Sequence, residues 1–301
     1  MLWFKNAIVY QFSKETILTK EALETALKSM QFIPCGSQDM SKFGWVSPCL
    51  NDNLVLEMQG QFLLKAKKET KMLPSSVVKQ ALQVKIDHLE QTQQRKLKKI
   101  EKETLKEEVL IDLLPRAFSK YNHYWLWIDT KSQRVIVDSA SYKQAEDLLA
   151  LLRKCLGSLP LIPLDSEIPL EQLLTKWVKE NQSLPPFILG DEAELKDPLD
   201  GNGIIRCKQQ ELTSAEIIMH IDAGKQVTKL KLIEEAYVNF ILQSDMTIKR
   251  LKYDASLLDK NEDIDRADIE KRLEADFLVI SDVLRDTIEH LIKAIDILNR
   301  K

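Results

Sequence analysis

Acidic side chains offer the clearest route to metal chemistry in this 301-residue sequence. Asp129 and Asp138 each end an apolar, strand-like run, and paired carboxylates can hold the metal ions of a nuclease. The segment 259–270 has acids or amides at the first, third, fifth and twelfth places of a calcium loop, but its sixth place is Ile264 instead of the Gly that the tight turn needs. A metal-dependent nuclease using Asp129 and Asp138, or the acids of 259–270, is therefore an alternative hypothesis. A helix N-terminus is the simpler interpretation of 259–270.

Other catalytic signatures are missing. The four histidines are isolated in the sequence, and there is no GxSxG, HExxH or Walker-type loop. The four cysteines are scattered without CxxC spacing, which is typical of reduced thiols in a cytosolic protein. We therefore expect no enzymatic activity, no cofactor and no metal.

Positive charge is concentrated between residues 65 and 106. Twelve basic residues stand beside five acidic ones there, although the whole chain carries a formal net charge of −3. Lys and Arg bind DNA favourably because they release the counterions condensed on its phosphates. No helix-turn-helix, zinc finger or RNA-binding sheet signature accompanies the charge, which favours binding without sequence specificity. The alternative is a solvated helix whose Glu and Lys residues pair with each other.

Strands and helices alternate in the first part of the chain. The aromatic and β-branched run at 2–12 predicts a strand, and Thr19 is a plausible N-cap for the helix that follows. Residues 54–66 predict one or two strands, and 124–138 predict a hairpin. An apolar helix then ends at Gly157. This mixture indicates an α+β fold.

Residues 74–114 form a long basic helical pattern between two prolines. Its middle, 91–99, is almost wholly polar. We expect either one helix that projects from the body, with its polar middle in solvent, or a break near Thr92.

The second half of the chain begins with a reversal of charge. Residues 165–200 carry nine acids and three lysines, and a turn follows at 200–203. The sequence then becomes strand-like as far as residue 253, and the last segment is acidic and helical. No apolar run approaches the roughly 20 residues of a membrane helix.

We therefore predict four parts. They are a central α+β domain of 1–73 and 115–165, a basic helical segment of 74–114, a second α+β domain of 166–253, and an acidic C-terminal helical segment of 254–301 that packs on the body.

Blocks spread from one end of the chain to the other match a known family. They are residues 1–6, 34–40, 113–119, 127–130, 145–147, 151–154, 191–196 and 261–266. Together they resemble the bacterial recombination-associated RdgC family.

The resemblance implies a cytoplasmic, nucleoid-associated protein that is not an enzyme. It implies binding to double-stranded DNA with little sequence preference, weaker binding to single strands, no membrane partner, and restraint of RecA-promoted strand exchange. The implied fold is α+β, with mixed helices and antiparallel sheets in an elongated, multi-part chain. Two subunits are expected to close into a homodimeric ring whose basic hole holds the duplex.

The resemblance also suggests roles for two short segments. Arg116, Phe118 and Lys120 match the family's subunit-contact and DNA-facing region, with Phe118 as the dimer contact. Residues 208–210 occupy a second place where family members carry Lys and Gln facing DNA. Gln209 stands where a second Lys can occur, which removes one phosphate contact. The complete set of predicted DNA-binding residues is Lys65, Lys67, Lys68, Lys71, Arg95, Lys96, Lys98, Lys99, Arg116, Lys120, Lys208, Gln209 and Gln210.

Overall fold

A computed structural model describes residues 2–49, 51–198, 203–261, 263–265 and 268–300. The turn predicted at 200–203 lies outside the described residues except for Gly203.

Within those residues, twelve strands form one antiparallel sheet. The strands are β1 (Asn6–Phe12), β2 (Ser41–Val46), β3 (Val55–Met58), β4 (Gln61–Met72), β5 (Phe118–Asp129), β6 (Arg134–Val137), β7 (Leu161–Pro163), β8 (Phe187–Lys196), β9 (Ile204–Lys208), β10 (Gln226–Glu234), β11 (Val238–Gln243) and β12 (Ile248–Tyr253). Their order across the sheet is β2-β4-β5-β6-β1-β12-β11-β10-β8-β9, with β3 paired to β4 and β7 paired to β1.

The helices of the described residues pack around this sheet or extend from it. They are α1 (Lys20–Lys28), α2 (Ser75–Gln93), α3 (Lys99–Leu113), α4 (Tyr142–Leu156), α5 (Leu170–Glu180), α6 (Ala215–Asp222), α7 (Ala255–Leu258) and α8 (Ile269–Arg300). The predicted α+β class is confirmed. Since β1 lies between β6 and β12, the sheet runs through both predicted α+β domains, and the division into domains stays a prediction.

Local signals in the sequence account for several element ends. The Thr19 hydroxyl accepts a hydrogen bond from the Ala22 N–H at 3.3 Å, so the predicted N-cap of α1 is confirmed. Helix α4 ends at Gly157, whose φ of +74° is a conformation that glycine adopts without steric cost. Asp129 closes the predicted hairpin between β5 and β6, since its carboxylate accepts hydrogen bonds from the Lys131 N–H and the Ser132 hydroxyl.

Strand register assigns each side chain to one of two sheet faces, because directly paired residues point to the same side. We call one side the α8 face. There Leu63, Trp127 and Leu230 pack beneath α5, α6 and α8. The other is the α4 face, where Leu64 and Leu126 pack beneath α1 and α4. Over β8 to β12, the α4 face carries many charged side chains, together with a few apolar ones such as Ile204 and Ile241.

The basic segment 74–114 is a hairpin of two helices. The chain breaks at Gln94, which takes the left-handed conformation with φ +51°, close to the break considered near Thr92. A small cluster of Ile86, Leu97 and Leu105 joins α2 to α3, separate from the two main cores. In the described ranges, no helix combines the length and apolarity needed to cross a bilayer.

Candidate nucleic-acid interface

The predicted lysines of β4 divide between the two faces of the sheet. Lys65 pairs with Trp125, Lys67 with His123 and Lys71 with Ser119, and all six side chains lie on the α8 face. Lys68 and the predicted Lys120 lie on the α4 face, where they are paired with Asn122 and Thr70. A stretch that looks like one basic run in the sequence therefore contributes to two surfaces.

On the α8 face, lysines and aromatic rings lie against each other. The Lys67 Nζ atom is 4.3 Å from the ring centre of Tyr121 and 4.9 Å from that of Phe32. The Lys65 Nζ atom is 4.7 Å from the ring of Trp125, and burial lowers the pKa of Lys65. We call this surface the lysine–aromatic face; it consists of Lys65, Lys67, Lys71, Tyr121, His123 and Trp125.

The helical hairpin neutralises part of its own charge. Arg95 forms two hydrogen bonds with the Glu101 carboxylate, and the Lys96 Nζ atom lies 2.8 Å from Glu90. Lys98 and Lys99 are exposed, and within the described residues no carboxylate lies within 4.0 Å of either ammonium group. Of the four predicted cations of this hairpin, these two are therefore the ones available to an external anion.

Phe118 stands at the base of the hairpin, at the first residue of β5. Its side chain is 80% exposed, and the directly paired Met72 is 48% exposed. Arg116 is also exposed and precedes it by two residues. The Phe118–Met72 pair thus exposes apolar surface at this point, and the predicted dimer contact at Phe118 stays a prediction.

The predicted residues 208–210 lie at the end of β9, with Lys208 as its last residue. Lys208 and Gln209 are exposed, and Gln209 adopts a left-handed conformation with φ +53°. The Gln210 side chain donates a hydrogen bond to Glu216 at 3.0 Å. Gln209 and Gln210 border a cleft of about 1030 Å³ between α5, β8 and β10.

Register also reveals a charged surface of which the sequence analysis predicted only Lys208. We call the α4 side of β8 to β12 the basic sheet face. Its three carboxylates are Glu192 and Glu194, placed by strand register, and Asp191, which lies 2.6 Å from the Lys231 Nζ atom. Its eight basic side chains are Lys196, Arg206, Lys208, Lys229, Lys231, Lys249, Arg250 and Lys252.

The sequence contained a signal for this face, because basic residues alternate along single strands. Lys229 and Lys231 occupy alternate positions of β10, as Arg206 and Lys208 do in β9, and this period of two is the mark of one strand face. The cations are spread over four strands, β8, β9, β10 and β12, so the concentration of charge depends on strand pairing that the sequence does not state.

Glu194 organises the centre of the basic sheet face. The Arg206 Nε atom lies 2.8 Å and the Lys229 Nζ atom 3.0 Å from its carboxylate, with Lys196 at 3.4 Å. Burial raises the pKa of Glu194, but the hydrogen bonds from Arg206 and Lys229 outweigh it and bring the pKa to about 2. The carboxylate therefore stays charged at neutral pH and holds three cations in one place.

The acids of the nuclease alternative have structural partners. Asp129 is fully buried and pairs with Arg285 of α8, whose Nε atom lies 2.7 Å away. Burial raises the pKa of Asp129, but the Arg285 hydrogen bond and charge outweigh it and lower the pKa. The Asp138 carboxylate accepts the N–H groups of Lys5 and Asn6, and burial raises its pKa.

These two acids are also too far apart to share a metal ion. The Asp138 N–H donates to the Trp125 carbonyl, so Asp138 lies opposite Trp125, four residues along β5 from Asp129. Four strand residues span roughly 13 Å. Ligands of one Mg²⁺ or Ca²⁺ ion must lie within about 2.6 Å of it.

The segment 259–270 does not form a coordination loop where it is described. Residues 259–261 are a turn of 3-10 helix, and the Asn261 amide is buried and donates to Asp276 at 3.1 Å. Glu262 lies outside the described residues. Across the described parts of the chain, no group of three or more His, Cys, Asp or Glu side chains is placed to hold a metal ion.

Comparison with known proteins agrees with the sequence resemblance. The family model described as "Putative exonuclease, RdgC" matches residues 2–298. The "Recombination-associated protein RdgC" of Yersinia enterocolitica is 52% identical over 297 residues, which cover 98% of each chain. The protein of the same name from Yersinia pestis is also 52% identical over the same length and coverage. The relatives' names state no enzymatic activity. The chain belongs to the RdgC family of recombination-associated proteins.

Proposed function

We propose that this protein binds double-stranded DNA without sequence specificity. The observation that carries the proposal is the basic sheet face, where eight cations outnumber three carboxylates on an uncovered sheet surface. Duplex DNA presents a dense line of phosphates, which such a surface attracts whatever the base sequence. Lys98, Lys99 and Lys120 extend the positive charge along the chain. No cofactor and no membrane take part.

We further propose that two copies close into a ring or clamp around the duplex. The exposed Phe118 and Met72 side chains support this part, because apolar groups at the base of a projecting hairpin gain free energy when a second copy covers them. The RdgC resemblance supports the ring itself. An isologous contact would bring Phe118 of each copy to the same interface.

The proposed role in the cell follows from the occupation of duplex DNA by the dimer. A nucleoid-associated dimer that holds the duplex through its phosphates denies that duplex to RecA and so limits strand exchange. The partners are therefore double-stranded DNA and a second copy, with single strands bound more weakly and RecA opposed by competition. The nuclease alternative has no comparable support, since Asp129 and Asp138 are engaged by Arg285 and the β1 backbone.

A salt-titrated gel-shift assay tests the duplex contact. Each phosphate contact contributes about 0.9 to the slope of log affinity against log salt. The double variant Lys249→Gln/Lys252→Gln should therefore lower the slope by up to about 1.8, whichever DNA sequence is used. The matched control is Lys14→Gln/Lys28→Gln, which removes the same charge from exposed positions outside the basic sheet face. Equal slopes in the two variants would contradict the proposal.

The same assay tests encirclement and cleavage. A closed ring slides off free ends, so linear duplex should dissociate faster than closed circular duplex. Equal dissociation would argue against encirclement. Incubation with Mg²⁺ or Mn²⁺ should leave the DNA intact, whereas cleavage would support the nuclease alternative.

A further inference from the structure

The lysine–aromatic face differs in chemistry from the basic sheet face. In strands β8 to β12 the aromatic side chains Phe187, Phe240 and Tyr253 lie on the α8 face, turned toward the core, so the basic sheet face offers charge without rings. The lysine–aromatic face combines three lysines with three rings on the opposite side of the sheet. A surface that interleaves cations and rings matches the chemistry of single-strand binding, in which bases stack on side chains and lysines hold phosphates.

Ring spacing decides which form of DNA fits. Tyr121, His123 and Trp125 occupy alternate positions of β5, so neighbouring rings are roughly 6.8 Å apart along the strand. That distance is about twice the 3.4 Å separation of stacked bases in one strand of a duplex. Bases inside a duplex stack on each other and expose no ring face. Only an unpaired, extended strand can place a base against successive rings.

The exposed Tyr121 ring is held in position. Tyr121 is 50% exposed, and its hydroxyl donates to the buried carboxylate of Glu69 at 3.4 Å. The same carboxylate accepts hydrogen bonds from the Ser119 hydroxyl at 2.6 Å and the Cys35 N–H at 2.8 Å. These bonds, the Ser119 bond first, lower the pKa of Glu69. The charge of Glu69 is thus compensated by hydrogen bonds within the protein. Because one of these bonds already fixes the Tyr121 ring, the ring loses little conformational freedom when a ligand binds.

The lysines now resting on the rings can move to the phosphates. An exposed ammonium group gains less from an aromatic ring than a stacked base does. A base can therefore displace Lys67 from Tyr121, and the freed ammonium can pair with the adjoining phosphate. Burial, followed by the charges of Lys65 and Lys67, lowers the pKa of His123, so its ring is neutral at pH 7 and free to stack.

We propose that the lysine–aromatic face is a binding site for an unpaired DNA strand, separate from the basic sheet face that receives the duplex. The inference rests on the proposed function only in taking DNA as the ligand. It gives one protein two DNA sites on opposite faces of one sheet.

Fluorescence anisotropy with a labelled 20-nucleotide oligo-dT and a labelled 20-base-pair duplex tests the inference. Tyr121→Leu keeps apolar bulk and removes the ring, so oligo-dT affinity should fall about tenfold while duplex affinity changes less than twofold. The matched control is Phe43→Leu, which removes a ring that also lies beneath a lysine, Lys68, but on the α4 face. The control should bind oligo-dT like the unmodified protein.

A second measurement does not depend on the stability of the Tyr121 variant. Saturating oligo-dT should quench the tryptophan fluorescence of the unmodified protein, and Trp125→Phe should lose most of that quenching. A 20-unit abasic strand, which has phosphates without bases, should bind at least about tenfold more weakly than oligo-dT.

Three results would overturn the inference: no quenching by oligo-dT, equal loss of oligo-dT and duplex affinity in Tyr121→Leu, or equal affinity for the abasic strand. Failure of the proposed duplex function looks different. In that case the unmodified protein would not bind the duplex, while oligo-dT binding and its dependence on Tyr121 would persist.

Discussion

Replacing Asp129 with Asn removes the charge that Arg285 pairs with and leaves the side-chain volume almost unchanged. The Asp129 side chain is 1% exposed and that of Arg285 is 20% exposed, so solvent screens the pair only weakly. Asp129 also accepts the Lys131 N–H and the Ser132 hydroxyl, which fix the β5–β6 turn. The substitution therefore weakens both the turn and the attachment of α8 to the sheet.

The expected loss of stability can be estimated from this geometry. Removing one partner of a buried ion pair costs about 3–5 kcal/mol. The lower value, about 3 kcal/mol, applies here because Asn keeps an acceptor for the turn and Arg285 reaches some solvent. With an unfolding entropy of about 2.1 cal/mol/K per residue, a chain of 301 residues should melt about 5 °C lower.

Urea unfolding followed by circular dichroism, at one fixed protein concentration, measures this loss. Arg285→Met and the double variant complete a thermodynamic cycle, and the double variant should lose at least about 1 kcal/mol less than the two single losses together. Below its melting temperature, Asp129→Asn should bind duplex DNA with unchanged affinity. Unfolding within about 0.5 kcal/mol of the unmodified protein would refute the reasoning. Mg²⁺-dependent cleavage that disappears in Asp129→Asn would instead support the nuclease alternative.

Three further predictions concern charge and assembly. The pKa of Glu194 is about 2 in the folded protein, below its ordinary value of 4.5. The ionised form of Glu194 therefore stabilises the folded state by up to about 3 kcal/mol above pH 4.5. This stabilisation is lost as the pH falls toward 2. Urea midpoints of Glu194→Gln should therefore lie below those of the unmodified protein at pH 6 and converge with them near pH 2. Lys98→Glu/Lys99→Glu should weaken binding to all duplex sequences alike in a gel-shift assay. The effect should exceed that of Arg95→Gln, since Arg95 is already paired. A loss of binding confined to one sequence would count against phosphate contacts. Phe118→Asp should convert a dimer into monomers in analytical ultracentrifugation, and an unchanged sedimentation coefficient would exclude Phe118 from the interface.

The sequence predicted elements whose signals are local. A cap at Thr19, a glycine stop at Gly157 and the β5–β6 hairpin each depend on a few neighbouring residues, and all three are present in the structure. The helical segment 74–114 was predicted only as an alternative between one helix and two. Its break at Gln94 depends on the packing of α3 back onto α2, which the polar sequence around it does not specify.

Strand β8 was not predicted, because three of its ten residues are acidic. Glu192 and Glu194 are accommodated by Arg250, Arg206 and Lys229, which reach them from other strands. The basic sheet face was missed because its charged members come from four strands, β8, β9, β10 and β12, and meet only when the strands pair. The division of the β4 lysines between two faces follows from a period of two, which a count of charge along the chain cannot show.

Helix α8 sets the order in which this protein can mature on the ribosome. Its buried residues, from Phe277 to Leu298, complete the same core that contains Leu2 and Phe4. While the chain is being synthesised, the part of this core that α8 covers therefore stays open to solvent until the last of these residues emerges. We expect the nascent chain to need chaperone protection until then, and a premature stop before residue 277 to yield an aggregating product even though every strand is present.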